Sequence, residues 1–262
     1  MSTTAGQTTD LGGVALESSR VGRVLLLTID RPEVRNALNP ATLFALSDAI
    51  DAATADEGTG AAVITGAGGE CFSSGMDLRA LRSDPKGAGA GFRRFDAVMR
   101  SHHRLPIVAA VRGMAIGGGF ELMLKCDLAV AAEDAKFGLP EVTRGLVPGG
   151  GGTLLPARIP LALALEIGLL GDPFDASRAI ALGLVNRVCP SENVVSEAVA
   201  LASRIAENPP ETVARIRQLM WTTALEGPAV SRTVADSLPQ SAKQAKEAAE
   251  GLARFLSHSD RS

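Results

Sequence analysis

Two glutamates and two glycine-bearing turns are the residues of this 262-residue chain best suited to chemistry. Glu121 opens a helical segment otherwise made of Phe, Leu and Met, and Glu141 follows Gly138-Leu-Pro140 in an apolar neighbourhood. A carboxylate is costly to bury without a partner, so both placements ask for a reason. The turns Phe72-Ser-Ser-Gly-Met-Asp-Leu78 and Gly113-Met-Ala-Ile-Gly-Gly-Gly-Phe-Glu121 each set backbone N–H groups where a helix is about to begin. Unpaired amides at a helix start, reinforced by the helix dipole, suit a developing oxyanion. Glycine also lets a ligand carbonyl approach the main chain without meeting a Cβ. Taken singly, each glycine cluster also reads as an ordinary turn, and each glutamate as a cap or a surface residue.

Other chemistries lack their residues. Neither turn contains G-x-G-x-x-G, and Gly149-Gly-Gly-Gly-Thr153 has no Lys after its glycines, so the known phosphate-loop signatures are missing. There is no G-x-S-x-G elbow and no H-E-x-x-H segment. His102 and His103 are adjacent and point apart on a helix, while His258 sits in the terminal tail. Cys71, Cys126 and Cys189 lie far apart without a C-x-x-C pair, which suggests neither a disulfide framework nor a zinc site and fits a reducing, cytoplasmic setting. A net charge of −3 gives no basic field for nucleic acid, although a local basic patch for an anionic ligand is compatible with it.

The elements that must position these residues read as an α/β fold. Val21 to Asp30 is an aliphatic strand, Asn39 caps a helix with Pro40 at its first position and Leu43, Leu46, Ile50 and Ala53 on one face, and Ala61 to Thr65 is a buried strand. A polar, Gly-rich loop is expected from Ser83 to Gly91. A helix framed by Phe92, Phe95 and Met99 then leads to the strand Ile107 to Val111. A Gly117 to Gly119 turn, a short helix to Lys125 and the strand Asp127 to Ala131 complete another β-α unit. From Leu161 the pattern becomes helical: Leu161 to Leu170, Ala176 to Leu182, Glu192 to Ile205, Glu211 to Leu225 and about Ser241 to Leu256, with one strand at Leu184 to Val188. Residues 1–13 read as a frayed tail without a signal-peptide pattern, 14–200 as the core, and 201–262 as a helical oligomerisation region. No apolar stretch is long enough to span a membrane, so a soluble protein is expected.

In order and spacing these segments resemble the enoyl-CoA hydratase (crotonase) family from about Val21 to the last helix. The matching pieces are Asp30-Arg-Pro-Glu-Val-Arg-Asn-Ala-Leu-Asn39, Phe72-Ser-Ser-Gly-Met-Asp-Leu78, Gly117-Gly-Gly-Phe-Glu121, Phe137-Gly-Leu-Pro-Glu141 and Gly145-Leu-Val-Pro-Gly149 leading to Gly151-Gly-Thr153. The resemblance implies a spiral of β-β-α units followed by a helical trimerisation region, assembled as a homotrimer or as a hexamer of two trimers. It implies an acyl-CoA thioester substrate, with coenzyme A part of that substrate and no separate cofactor or metal. The amides of Met76 and Gly118 would form the oxyanion hole. Glu121 would deprotonate a water for attack on the β-carbon of a 2-enoyl thioester, and Glu141 would supply the proton to the α-carbon. Two carboxyl groups around one water cannot both ionise cheaply, so their titrations are expected to be coupled. Gly117, Ser74, Asp77, Leu78, Arg35 and Ala37 are the expected substrate and coenzyme A contacts. Arg31, Arg79 and Arg82 lie close enough to the same motifs to meet phosphates, and Lys246 and Phe255 fall in the region expected to reach a neighbouring subunit's ligand.

The chain departs from the family's pattern at Met114, Leu139 and Leu154-Leu155, and it has no Tyr. These changes bear on the substrate more than on the fold, and together with Val142-Thr-Arg-Gly145 they resemble carnitinyl-CoA dehydratases or broad enoyl-CoA hydratases. An enoyl-CoA hydratase is the expected activity, with fatty-acid β-oxidation its default setting. An isomerase or carnitinyl-CoA dehydratase-like enzyme is the alternative, and a non-catalytic acyl-CoA-binding subunit the remote one.

Overall fold

The computed structural model describes residues 16–100, 104–237 and 242–259, and within the last helix the side chains of residues 245–253. Leu16–Val21 (β1) and Val24–Ile29 (β2) form an antiparallel hairpin with Leu16 opposite Ile29, turning at Gly22, whose φ of 59° suits a residue without Cβ. The expected single strand from Val21 is therefore the second half of a hairpin. β1 escapes an apolar-run criterion because it is an edge strand carrying Glu17, Ser18, Ser19 and Arg20. Pro40–Ala55 (α1) follows as expected, with Asn39 Oδ1 accepting from the Thr42 amide at 2.8 Å and Leu43, Leu46, Ile50 and Ala53 all buried.

The next three units repeat one plan. Ala61–Gly66 (β3) leads to Cys71–Ser73 (β4) and then to Leu78–Ser83 (α2) and Pro85–Arg100 (α3). Ile107–Val111 (β5) leads to Met114–Ile116 (β6) and then to Gly118–Lys125 (α4), and Leu128–Ala132 (β7) leads to Lys136–Gly138 (β8). Each unit gives its first strand to one sheet and its second to another. The large sheet runs β1-β2-β3-β5-β7 and ends on Arg187–Cys189 (β10), parallel everywhere but the hairpin. The small sheet runs β4-β6-β8 and ends on Phe174–Asp175 (β9), which is antiparallel to β8. This is the expected spiral of β-β-α units.

The 83–91 stretch is helical and not a loop. α3 begins at Pro85, with Asp84 accepting from the Gly87 amide at 2.9 Å, and Gly91 packs tightly onto α1, where a Cβ would lie 3.1 Å from Pro40 Cα and 3.5 Å from Leu43 Cβ. Tertiary packing has overridden the low helix propensity of three glycines.

In the second half, Leu155–Arg158 (α5), Leu161–Leu170 (α6), Ala176–Ala181 (α7), Val194–Ala206 (α8), Pro210–Glu226 (α9), Pro228–Ser237 (α10) and Ala242–Ser259 (α11) bear out the change to helices. α10 lies in a stretch given no element from the sequence. The expected strand at Leu184 to Val188 shifts to β10, because Leu184 and Val185 fill the core before the chain reaches the sheet edge. β9 was also unforeseen, since two residues carry no periodicity. α8 lies across β2, β3, β5 and β7, so close that a Cβ on Gly60 would sit 2.6 Å from the Cβ of Ala206. Phe120 of α4 meets Phe137 of β8 and Phe174 of β9 in tilted and edge-to-face contacts with centroids 5.6–5.8 Å apart, and Phe120 and Phe137 are fully buried. α9 is fastened to α4's end of the molecule through Asp127, which accepts from Trp221 Nε1 at 2.6 Å and from Arg217 Nε at 2.9 Å. Among the described residues no helix is long and apolar enough to cross a membrane.

Candidate active site

A cavity of about 360 Å³ opens between α2, α3, α4 and the segment 141–150. Its wall contains Ser74, Met76, Leu78, Gly117, Gly118, Glu121 and Glu141, so residues spread over 68 positions of sequence converge. Leu38, Leu43, Phe92, Phe95, Ile116 and Leu122 supply apolar lining.

One wall is made of main chain. Leu38 donates to Gly75 O at 2.7 Å and accepts from Asp77 N at 3.0 Å, so the amide of Met76 is turned away from that bridge. Gly118 opens α4, where an amide has no intrahelical acceptor. The two amides flank Gly75 closely: a Cβ on Gly75 would fall 2.5 Å from Gly118 N, and a Cβ on Gly118 would fall 3.2 Å from Met76 N. Gly117, at φ 55° and ψ −127°, holds a backbone open only to glycine, and its amide donates to Gly138 O at 2.9 Å. Two N–H groups at a helix start, with no side chain between them, can receive one oxygen that gains negative charge.

The carboxylates stand in different surroundings. Glu121 is buried, and its Oε1 accepts from the Gly150 amide at 2.8 Å and the Gly152 amide at 2.9 Å, which leaves Oε2 for the cavity. The glycine run 149–152, set aside for want of a lysine, thus clamps a carboxylate in place of a phosphate. A buried glutamate needs donors, and the nearest unassigned glycine loop was the available signal. Glu141 sits half-buried in a short 3-10 helix, Pro140–Arg144, with its Oε2 buried and without a hydrogen-bond partner among the described residues. Burial pushes the Glu141 carboxyl above its ordinary value. The Glu121 charge adds to the rise, while a backbone hydrogen bond and Arg144 oppose it. Glu141 Oε1 reaches so near Gly117 that a Cβ there would lie 2.8 Å away.

The other expected contacts divide. Ser74 is held by its amide to Arg35 O at 2.9 Å, and Asp77 caps α2 by accepting from Arg79 N and Ala80 N at 3.1 Å each. Burial works to raise the Asp77 carboxyl, but the Ala80 amide and the Arg31 guanidinium at 3.0 Å outweigh it and hold it below the usual carboxylate range. Arg31 also donates to Ala37 O at 2.6 Å, so it braces the loop. Arg35 and Ala37 lie in that loop and outside the cavity lining, Arg35 exposed and Ala37 buried, while Arg79 and Arg82 are exposed on α2. Lys246 is exposed on α11, paired with Glu250 at 3.9 Å, and the side chains of Phe255 and His258, with His102 and His103, lie outside the described residues. Burial pushes the Cys71 thiol to about 11 and the Cys126 thiol to about 12, which leaves neither as a ready nucleophile.

Asn36 holds the whole loop. Fully buried at φ 54°, it donates to Ala67 O at 2.9 Å and Cys71 O at 2.6 Å and accepts from Arg31 N at 2.9 Å. Asn is one of the few side-chain-bearing residues at ease in the left-handed region. Asn36→Ala should therefore cost about 3 kcal/mol or more, read from urea unfolding, because buried polar groups lose their partners. A change below about 1 kcal/mol would contradict this bracing role.

The family model described as enoyl-CoA hydratase/isomerase matches residues 20–261. The 2,3-dehydroadipyl-CoA hydratase of Escherichia coli is 40% identical over 204 residues, 77% of this chain and 80% of that protein. A carnitinyl-CoA dehydratase of Salmonella enteritidis is 35% identical over 215 residues, 80% of this chain and 81% of its own length. Among solved structures, an enoyl-CoA hydratase from Mycobacterium tuberculosis superposes with a TM-score of 0.80 at 37% identity, covering 92% of this chain and 96% of that one. One from Polaromonas superposes at 0.82 with 33% identity, covering 93% and 97%. The match spans both sheets, the paired-amide turn and both carboxylate segments: the chain belongs to the enoyl-CoA hydratase/isomerase family.

Proposed function

We propose that the protein is a hydro-lyase that adds water reversibly to a 2-enoyl-CoA thioester, giving the 3-hydroxyacyl-CoA. The observation that carries this reading is a half-buried Glu141, biased toward its protonated form, sharing one cavity with a clamped Glu121 and two adjacent free-facing amides. Glu121 Oε2 takes a proton from water as the water oxygen bonds to the β-carbon. The π electrons move toward the thioester oxygen, which Met76 N and Gly118 N receive. The α-carbon then takes the proton of Glu141 as the carbonyl re-forms, and proton return from Glu121 to Glu141 resets the pair.

Turnover in H₂¹⁸O with 2-enoyl-CoA and, separately, 3-enoyl-CoA tests the reaction type. Heavy oxygen in a 3-hydroxyacyl-CoA is the expected product of the first. Conversion of the second to a 2-enoyl-CoA with no labelled alcohol from either would favour an isomerase. The raised Glu141 carboxyl gives a signed pH expectation. A general acid works only while protonated, so kcat should fall as pH rises through the Glu141 pKa, at a pH above the ordinary carboxyl range. That alkaline limb should vanish in Glu141→Gln, and a limb unchanged by the substitution would assign it elsewhere.

Self-association is part of the proposal. Leu161, Leu165 and Leu169 form an exposed stripe at helical spacing along α6, beside exposed Val142 and Leu146, and Ile216 and Met220 are exposed on α9. A trimer, or a hexamer of two trimers, would cover such faces. Leu165→Glu with Leu169→Glu should lower the mass in sedimentation toward one chain. An unchanged assembly would remove α6 from the interface.

A further inference from the structure

We propose that the far end of this cavity is built for an acyl chain that ends in a carboxylate, received by Lys125; the inference rests on reading the cavity as an enoyl-CoA site. Lys125 follows Glu121 by four residues on α4, so both side chains leave the same face, and both line the cavity. It lies seven residues beyond Gly118, about 10 Å along the axis. At roughly 1.3 Å gained per C–C bond of about 1.5 Å, an extended chain whose thioester oxygen sits on the two amides reaches the Lys125 region with on the order of six to eight carbons.

An alkyl tail does not require an ammonium there, and burying one is expensive unless it is paired. Lys125 is 5% exposed, ion-paired with Asp96 of α3, and its Nζ lies 5.4 Å from the Phe92 ring centre and 5.8 Å from that of Phe95. Asp96 is shared, since Arg100 Nε meets its other oxygen at 2.7 Å. Two cations thus share this one anion, and the Glu121 charge also acts on the Lys125 ammonium. An ammonium has three donors, and Asp96 Oδ1 is its hydrogen-bond acceptor among the described residues, so donors remain for a ligand oxygen. The stem has room because Gly151 passes beside it, where a Cβ would lie 3.2 Å from Lys125 Cε. A cationic tail is disfavoured: the aromatic faces that would attract it already hold Lys125. The competing reading, a purely structural pair tying α3 to α4, makes no distinction between acyl tails.

The test is calorimetric binding of hexanoyl-CoA and of the same saturated chain carrying a terminal carboxylate in place of its methyl group. The wild type should bind the carboxylated ligand about ten-fold or more tightly, the scale of a charge-assisted hydrogen bond. The ratio should fall to near one in Lys125→Met and in the apolar replacement Asp96→Leu with Lys125→Met. Because each protein is compared with itself on two ligands, partial destabilisation cancels. Equal wild-type affinities, or a preference that survives Lys125→Met, would overturn the inference. Turnover of the matching 2-enoyl forms separates the two readings. Hydration of both without preference overturns only the carboxylate tail. A binding preference without hydration supports the tail and overturns the hydratase.

Discussion

Glu141→Gln lowers kcat for 2-enoyl-CoA hydration by about 10²–10⁴-fold, and Glu121→Gln does the same, the usual worth of a positioned proton-transfer group. Glutamine at 141 fills the same space beside Gly117 but has no acidic proton to give the α-carbon. At 121 its carbonyl oxygen can still accept from the Gly150 and Gly152 amides. Its NH₂ group then occupies the Oε2 position, a donor where the water needs an acceptor. Both variants keep the apolar lining and the paired amides, so acyl-CoA affinity should persist and the loss should fall on kcat. The double variant should be little worse than either single one, since the groups act as a unit. Loss of conjugated-thioester absorbance, with calorimetric binding of a saturated acyl-CoA as control, measures both. A glutamine variant within about ten-fold of wild type would remove that residue from proton transfer.

Gly75→Ala lowers kcat by about 10²–10³-fold, the loss expected when an oxyanion donor is misaligned. Gly75 stands at φ 88°, and a Cβ there would lie 2.5 Å from Gly118 N and 3.0 Å from Ile116 O. These are backbone atoms that cannot swing aside, so the β4–α2 turn and the start of α4 must move apart, carrying the Met76 and Gly118 amides with them. Far-ultraviolet circular dichroism on the same sample distinguishes displaced amides from a lost fold. A folded variant with wild-type kcat would show that the amides do not hold the thioester oxygen.

Much of this site was legible before any coordinates. A glutamate inside an apolar helix and glycines where helices begin pointed to Glu121, Glu141 and two turns, and the resemblance in the order of the segments singled out Met76 and Gly118 within those turns; the structure sets all four residues around one cavity. The helix of Asn39 and Pro40 and the buried strands were equally plain, because capping and aliphatic runs are local signals. What stayed hidden depends on non-local contact. α3 is helical through Gly87, Gly89 and Gly91 because α1 lies against it, and no window of its own sequence says so. The clamp of Gly150 and Gly152 on Glu121 joins segments 29 and 31 residues apart, and Asn36 works through carbonyls 31 and 35 residues away. Lys125 looked like a helix-end lysine until Asp96, Phe92 and Phe95 closed around it.

The measurement that bears most directly on the reaction is incubation of the wild-type protein with crotonyl-CoA, following the conjugated-thioester absorbance and identifying the product by mass. The expected result is a catalysed fall in absorbance to the hydration equilibrium, with 3-hydroxybutyryl-CoA formed. Tight binding of crotonyl-CoA and of longer 2-enoyl-CoAs with no loss of absorbance would contradict water addition by Glu121 and Glu141.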